Sequence, residues 1–298
     1  VTRNGDHSLH QQWCDGSHSW DLAVSYWGGN EHKVFPEARY VHRLKGTKMK
    51  GYFAFFQDFP DLLEAYDYFW LPDDDIAASA AVIEQMFEIM RDYDLALAQP
   101  SLSPDSYMSH LITLQNPVFR LRFTTFVEVM CPVLSRDMLK TVLPILKHSA
   151  GGTGLDFAWA RFIDEPYGKS AILDEISVTH TRPVGGGSLH TLFAAKCQAE
   201  EIARMMQRLE IEPRPGFVDV QGVKVPPILV YGGITRKGRR FEGPAATALA
   251  QLHGYLPLAH RLREPGLTPI AILRYIAKHL LRPMPDLSPL ALRIAEPV

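Results

Sequence analysis

The chain has 298 residues, 46% apolar and 21% charged, a balance that excludes wholesale disorder and allows about two domains. With 31 basic and 33 acidic residues the net charge is −2, so the basic excess of a general nucleic-acid binder is missing and no nucleic-acid partner is expected. Three cysteines without a CxxC pair argue against a disulfide framework or a cysteine-built zinc site, and no apolar run reaches the ~20 residues of a membrane span.

The opening residues lack the apolar stretch of a signal peptide, so a cytoplasmic protein is expected. Residues 20–27 read as a buried strand ending at Gly28-Gly29, and residues 38–44 as a second. Residues 51–67 place Phe55, Phe56, Phe59, Leu62, Leu63 and Tyr66 at helical spacing. A short strand over 68–71 stops at Pro72-Asp73-Asp74-Asp75. A helix is expected over 76–91 and a strand over 95–98. Residues 123–134 read as β-rich, with Glu128 as the one charge on that strand, and 171–173 as strand-like.

Beyond residue 192 the pattern changes. Helices are expected over 194–209, 244–263 and 269–281, with a proline- and glycine-rich stretch over 213–233. The expected organisation is an α/β domain over 1–195 and a mainly helical region over 196–298.

Charge is uneven along the chain. Residues 58–94 carry eleven acidic side chains and one basic one, and Arg236, Lys237, Arg239 and Arg240 form a basic cluster that reads as a solvated loop. Within the acidic stretch, Asp73 and Asp75 share a face if the chain is extended, because side chains at i and i+2 point the same way. Their repulsion, ~1–4 kcal/mol at 4 Å, would be relieved by a hard cation such as Mg²⁺ or Mn²⁺. The competing reading makes Asp75 the N-cap of a helix beginning at Ile76.

Other signals are weaker. Gly168-Lys169-Ser170 lacks the glycine a phosphate loop needs five residues earlier, where Ile163 stands. His7 and His10 read as surface or capping residues. The loop Gly151-Gly152-Thr153-Gly154 delivers Asp156 into an aromatic segment, as a general base, a sugar-hydroxyl contact or a helix cap. His180, between a strand-like run and Gly185-Gly186-Gly187, stands where a histidine can complete a metal site. In the last helix, Ile270, Leu273, Ile276, Ala277, Leu280 and Leu281 are flanked by Arg274, Lys278 and Arg282. That pattern suits either an interfacial helix on anionic lipid or a core-packing helix.

Several blocks occur together and in order: RNGDHSLHQQW, WDLAVSYWG, WLPDDDI, DLALAQPSLS, LRFTTFVEVMCPVLSR, GGTGLDFAW and HTRPV. Over about residues 1–190 they resemble an uncharacterised family, domain of unknown function seven-hundred-seven, which is similar to GT-A type nucleotide-sugar glycosyltransferases. The resemblance implies a Rossmann-like mixed sheet flanked by helices and a D-x-D motif that binds Mn²⁺ or Mg²⁺ and the donor diphosphate. It makes Asp73, Asp75 and His180 metal ligands and places Asp74 on the donor. Arg3, Asn4, Gly5 and Asp6, expected just after a first strand, would form the nucleotide pocket with Ser25, Tyr26 and Trp27. Lys45 and Lys48 would neutralise phosphate. Asp156 becomes the base of an inverting reaction, and Glu128 faces the anomeric carbon if the reaction retains configuration. Trp159, Gln99 and His110 fall on the acceptor side. One departure is Gly152-Thr153-Gly154, where an aromatic is expected in the middle.

The expected function is therefore transfer of a sugar from a nucleotide-sugar donor to a glycan or lipid-linked acceptor. The alternatives are a nucleotidyl- or phosphotransferase using the same acidic cluster, and a non-catalytic nucleotide- or glycan-binding module.

Overall fold

The computed structural model describes residues 1–183, 195–258, 268–288 and 290. It is a mixed α/β structure. Three strands, β1 (Thr2–Asn4), β2 (Ala23–Tyr26) and β3 (Tyr40–Arg43), pair in parallel in the order β1-β2-β3. After β3 the chain forms helix α1 (Lys48–Asp58), breaks at Phe59-Pro60, and makes one more turn, α2 (Leu62–Ala65). The break divides the single helix expected there, because proline has no N–H to continue the hydrogen-bond ladder.

The chain then enters β4 (Tyr68–Trp70). An isolated parallel bridge between Arg3 and Asp73 sets β1 beside the continuation of β4. The parallel order thus runs β3-β2-β1-β4, and the direction of travel across the sheet reverses between β1 and β4. In open α/β sheets such a reversal leaves a crevice at the carboxyl ends of the two strands, where ligands bind.

From β4 the large sheet continues through β8 (Val133–Ser135), β6 (Leu97–Leu102), β9 (Ser170–His180), β7 (Phe119–Thr124), β12 (Val230–Thr235) and β13 (Arg240–Glu242). The two-residue strand β5 (Ile76–Ala77) pairs with the end of β9. Strands β10 (Val218–Val220) and β11 (Val223–Val225) form a separate antiparallel pair. The core strands are buried along their whole length, as in β2 and β6, which explains why they read as continuous apolar runs.

Three differences from the sequence reading matter for the site. Helix α3 spans Ala80–Asp92 and is capped by Ser79, whose side chain accepts from the Val82 N–H. Ile76 and Ala77 are strand residues, so Asp75 caps no helix. Glu128 lies in the loop between β7 and β8, not on a strand. And residues 213–233, read only as a proline- and glycine-rich stretch, contain β10, β11 and part of β12, which pairs with β7 in the central sheet. The valines at 218, 220, 223, 225 and 230 supply the β preference there, and the glycines mark turns and close strand contacts.

Helix α4 (Arg136–Leu146) follows β8, and the C-terminal helices are α5 (Ala195–Arg208), α6 (Pro244–Tyr255) and α7 (Pro269–Leu280). The helical run expected to reach residue 263 passes outside the described residues after 258, as do Gly185-Gly186-Gly187 and Val184 of the HTRPV block. Helix α6 is locked to the sheet by a buried polar network. In β7, Arg122 makes a bidentate ion pair with Asp174 of β9, at 2.6 and 2.9 Å, with both side chains fully buried. The same guanidinium donates to Gln251 at 3.1 Å and to the Tyr255 hydroxyl, both on α6. Asp174 reaches this position because the register between β6 and β9 shifts after Pro100, which bulges residues 174–176 out of the ladder.

Candidate functional site

The triplet sits at the carboxyl end of β4, and three neighbouring elements converge on it. Asp73 Oδ1 pairs with the ammonium of Lys48, the first residue of α1, at 2.7 Å. Asp74 Oδ2 accepts the backbone N–H of Gly5, just after β1, at 2.8 Å. Its other oxygen lies 3.3 Å from Arg182. Asp75 Oδ2 lies 3.4 Å from Nε2 of His180, the last residue of β9. The pairing of β5 with β9 fixes this approach, with Ile76 opposite His180. Thr181 donates to the Asp75 carbonyl through both its N–H, at 3.1 Å, and its hydroxyl, at 2.9 Å.

The electrostatics follow from burial and pairing. Burial raises the Asp73 carboxyl, with Lys48 opposing. Asp74 is pushed up to about 6, chiefly by burial, against the Gly5 N–H and Arg182. Burial also works on Asp75, but the hydrogen bond and charge of His180, with Arg182 and Lys48, outweigh it and hold this carboxyl below its ordinary value. Burial disfavours the His180 cation, yet Asp75 reverses the balance and raises its pKa. The Nδ1 of His180 lies 2.8 Å from the Tyr107 carbonyl, which can only accept, so Nδ1 carries a proton and Nε2 is turned to the carboxylate. This is how histidine ligands are commonly oriented in metal sites.

Glu128 belongs to the same cluster. Its backbone N–H donates to the Gln99 side chain on β6, and its carboxyl is raised to about 7 by burial, with Asp73 adding repulsion and His180 and Lys48 opposing. Asp156 is raised further, to about 8, by burial and then by the charge of Glu128. It occupies a buried 3-10 turn, and its Oδ1 accepts the Gly154 N–H at 3.1 Å. Two carboxylate oxygens, Asp75 Oδ1 and Glu128 Oε2, are buried without a hydrogen-bond partner among the described residues.

Residues 19–122 match the family model described as Protein of unknown function (DUF707). The matched segment runs from the approach to β2 into β7 and carries the aspartate triplet, Lys48, Gln99 and His110. No curated protein matches the sequence. Glu128, Asp156, His180 and Arg182 lie beyond the matched segment, although the fold returns three of them to it: His180 and Arg182 to the triplet, and Glu128 to Gln99.

Other sequence-predicted residues are placed differently. Arg3 and Asn4 lie on β1 itself rather than after a strand. Arg3 is buried and spends its guanidinium on Ser25 at 2.9 Å and on the carbonyls of Leu44 and Gly46 at 3.2 and 2.9 Å. Asn4 bonds His10 and Thr2. His10, read as a surface or capping residue, is buried and lies 2.6 Å from Glu37. Ser25 is fully buried between Arg3 and His42. These side chains brace the crevice from beneath.

Gly5, Asp6, Tyr26 and Trp27 gather at the rim. The Tyr26 hydroxyl donates to Asp6, and the Trp27 indole packs so closely over Gly5 that a Cβ there would lie 2.8 Å from its ring. Lys45 donates to the Gly28 carbonyl. Among the acceptor-side residues, Trp159 is buried with its N–H on the Val127 carbonyl at 2.9 Å, and His110 is half-buried, packs edge-on against Phe126 and is pushed down to about 4 by desolvation. Gln99 is fully buried and supports Glu128.

Sequence reasoning missed Arg182. Its signal was its place two residues after His180 in an extended segment, which puts both on one side of the chain.

Among the described residues, no three His, Cys, Asp or Glu side chains form a ready-made metal cage. The donor set still suits a hard cation of the Mg²⁺ class, which takes one or two protein carboxylates and completes its shell with water and phosphate. Asp75 offers its buried, unpartnered oxygen, and His180 Nε2 is aimed at the same carboxylate. Asp73 is already neutralised by Lys48. A cleft of about 190 Å³ lined by Trp13, Trp20, Tyr66 and Trp70 lies toward the amino ends of the parallel strands, and its lining includes Pro72 but none of the three aspartates.

No helix among the described residues is long and apolar enough to cross a membrane.

Proposed function

We propose that the protein is a metal-dependent glycosyltransferase of GT-A type that takes its donor as a nucleoside diphosphate sugar and passes the sugar to a glycan or lipid-linked acceptor. The observation that carries this reading is the meeting of Asp75 and His180 at the β1/β4 crevice, with an unpartnered carboxylate oxygen beside them.

Asp75 and His180 would hold Mn²⁺ or Mg²⁺. When bound, the ion supplies positive charge to the leaving diphosphate. The other roles fall to the chain. Arg182 places a cation within reach of phosphate, while Lys48, buried and bonded to Asp73 and to the Val129 and Met130 carbonyls, fixes the triplet in place. Asp74 ties the ends of β1 and β4 together and keeps the crevice narrow. The rim of Gly5, Asp6, Tyr26 and Trp27 suits a base and ribose. Glu128 and Asp156, raised to about 7 and about 8, form a carboxyl pair poised near neutral pH to accept a proton from the acceptor hydroxyl. Glu128 is the member that shares the electrostatics of the triplet, through His180, Asp73 and Lys48. We place the activity in the cytoplasm.

The test is a thermal-shift panel of nucleoside diphosphates, each with and without Mn²⁺, on wild type and Asp75→Ala. A ligand at 100 times its Kd adds about 2.7 kcal/mol of stability. A shift with one base that requires both Mn²⁺ and Asp75 supports the reading. Release of pyrophosphate or phosphate instead of a nucleoside diphosphate would replace sugar transfer with nucleotidyl or phosphoryl transfer. Tight binding without turnover of any nucleotide sugar would leave a binding module.

A further inference from the structure

Helix α7 has two apolar faces. Ile272 and Ile276 are buried against the body of the protein, together with His279. On the opposite side, Ile270, Leu273, Ala277 and Leu281 follow one another at i, i+3, i+7 and i+11, the spacing of a single helix stripe. Ile270 is 60% exposed, Leu273 50% and Leu281 87%, and Met284 just beyond the helix is 49% exposed. Bulky aliphatic side chains in such a row are costly to leave in water.

The charge beside this stripe has one sign. Arg274 and Lys278 are exposed and border it one turn apart, and Arg282 follows at the helix end. From residue 265 to residue 285 the sequence contains no Asp or Glu. The chain as a whole carries −2, so this is a local cationic strip and not the overall balance. An apolar stripe edged by Lys and Arg, on a helix anchored by its other face, matches the interface of an anionic bilayer: the aliphatic groups enter the acyl boundary and the cations meet the headgroups.

We infer that the outer face of α7 is a membrane-docking surface selective for anionic lipid, which seats the protein on the bilayer without crossing it. The inference is independent of the sugar-transfer reading, because it uses none of the crevice residues.

Flotation of the full chain with vesicles tests it, comparing pure phosphatidylcholine with a mixture containing phosphatidylglycerol, at low and high salt. Wild type is expected to float with the anionic vesicles only, and less at high salt. Leu273→Glu/Leu281→Glu should abolish flotation, while Arg274→Gln/Lys278→Gln should weaken partitioning by roughly five-fold per cation removed. All these positions are exposed, and unchanged thermal melting confirms that each variant folds. Failure of wild type to bind anionic vesicles overturns the inference. So does equal flotation of the Leu273→Glu/Leu281→Glu protein, which would move the contact elsewhere. A lipid-free dimer that dissociates in that variant, without vesicle binding by wild type, would assign the face to a second copy of the chain.

Discussion

His180 Nε2 stands 3.4 Å from Asp75 Oδ2, and each partner is also held from behind: the imidazole by the Tyr107 carbonyl, the aspartate backbone by Thr181. Two residues far apart in sequence are therefore preset for one another by the β5–β9 pairing. Asp75 makes no helix cap, and Thr181 holds its backbone carbonyl whatever the side chain. Asp75→Ala should abolish Mn²⁺-dependent nucleotide binding and transfer while leaving far-ultraviolet circular dichroism unchanged. Ser79→Ala should show the opposite pattern, costing about 1 kcal/mol through the lost α3 cap with nucleotide affinity intact. Full transfer activity in Asp75→Ala would remove the carboxylate from the proposed site.

Asp156 predicts a pH dependence of stability. Its carboxyl is raised to about 8 in the folded protein, from an ordinary value near 3.8. Between those values the folded state keeps a proton that the unfolded state has released. Stability must then fall as pH rises from about 4 to 8, by up to ~1.4 kcal/mol per pH unit from this group. Asp156→Asn, which cannot ionise and can still accept the Gly154 N–H, should flatten that slope and be the more stable protein at pH 8. Urea unfolding at pH 5, 6, 7 and 8 measures it, and identical slopes for the two proteins would count against the assignment.

The Arg122–Asp174 pair predicts a strong asymmetry. Removing one partner leaves a buried charge, which costs about 3–5 kcal/mol. Arg122→Met and Asp174→Leu should each lower Tm by roughly 5–8 °C. The double variant should recover a large part of that loss, since neither charge is then stranded. A double-mutant cycle by calorimetry reads the difference directly.

Gly51 predicts a packing limit. A Cβ there would collide with Arg3 Nε, and that guanidinium is fixed by its bonds to Ser25, Leu44 and Gly46. Gly51→Ala should destabilise by about 1–3 kcal/mol, although alanine is ordinarily the better helix former. A stabilised variant in urea unfolding would show that Arg3 is free to move.

Strands β2, β3 and β4 and helices α3, α5 and α7 were legible because each carries its own local pattern, apolar runs for buried strands and a 3.6-residue stripe for helices. Asp73 and Asp75 were legible as a strand-end pair. Their surroundings were not: a sequence cannot show that Arg3 turns inward to Ser25, or that His10 is buried against Glu37. The start of α3 was misread because Ile76 continues the apolar rhythm of the helix, while its hydrogen bonds belong to β9. Strand β12 was hidden behind Gly232-Gly233, which depress β preference. The fold needs small residues there, since a Cβ at Gly233 would strike the Phe119 ring and the Leu121 carbonyl.

Strand β12 also bears on how the molecule can be taken apart. It covers the flank of β7, and α6 closes the buried pocket around Arg122. A chain cut near residue 195 would leave β7 as a naked edge, with unpaired N–H and C=O groups open to the edge of any other copy. It would also strand an ion pair that has lost its neutral partners. Such a fragment should aggregate before its chemistry could be assayed. The proposed sugar transfer and the proposed lipid contact are thus better tested by point substitutions than by dissection, because the last hundred residues complete the same sheet that carries the aspartates.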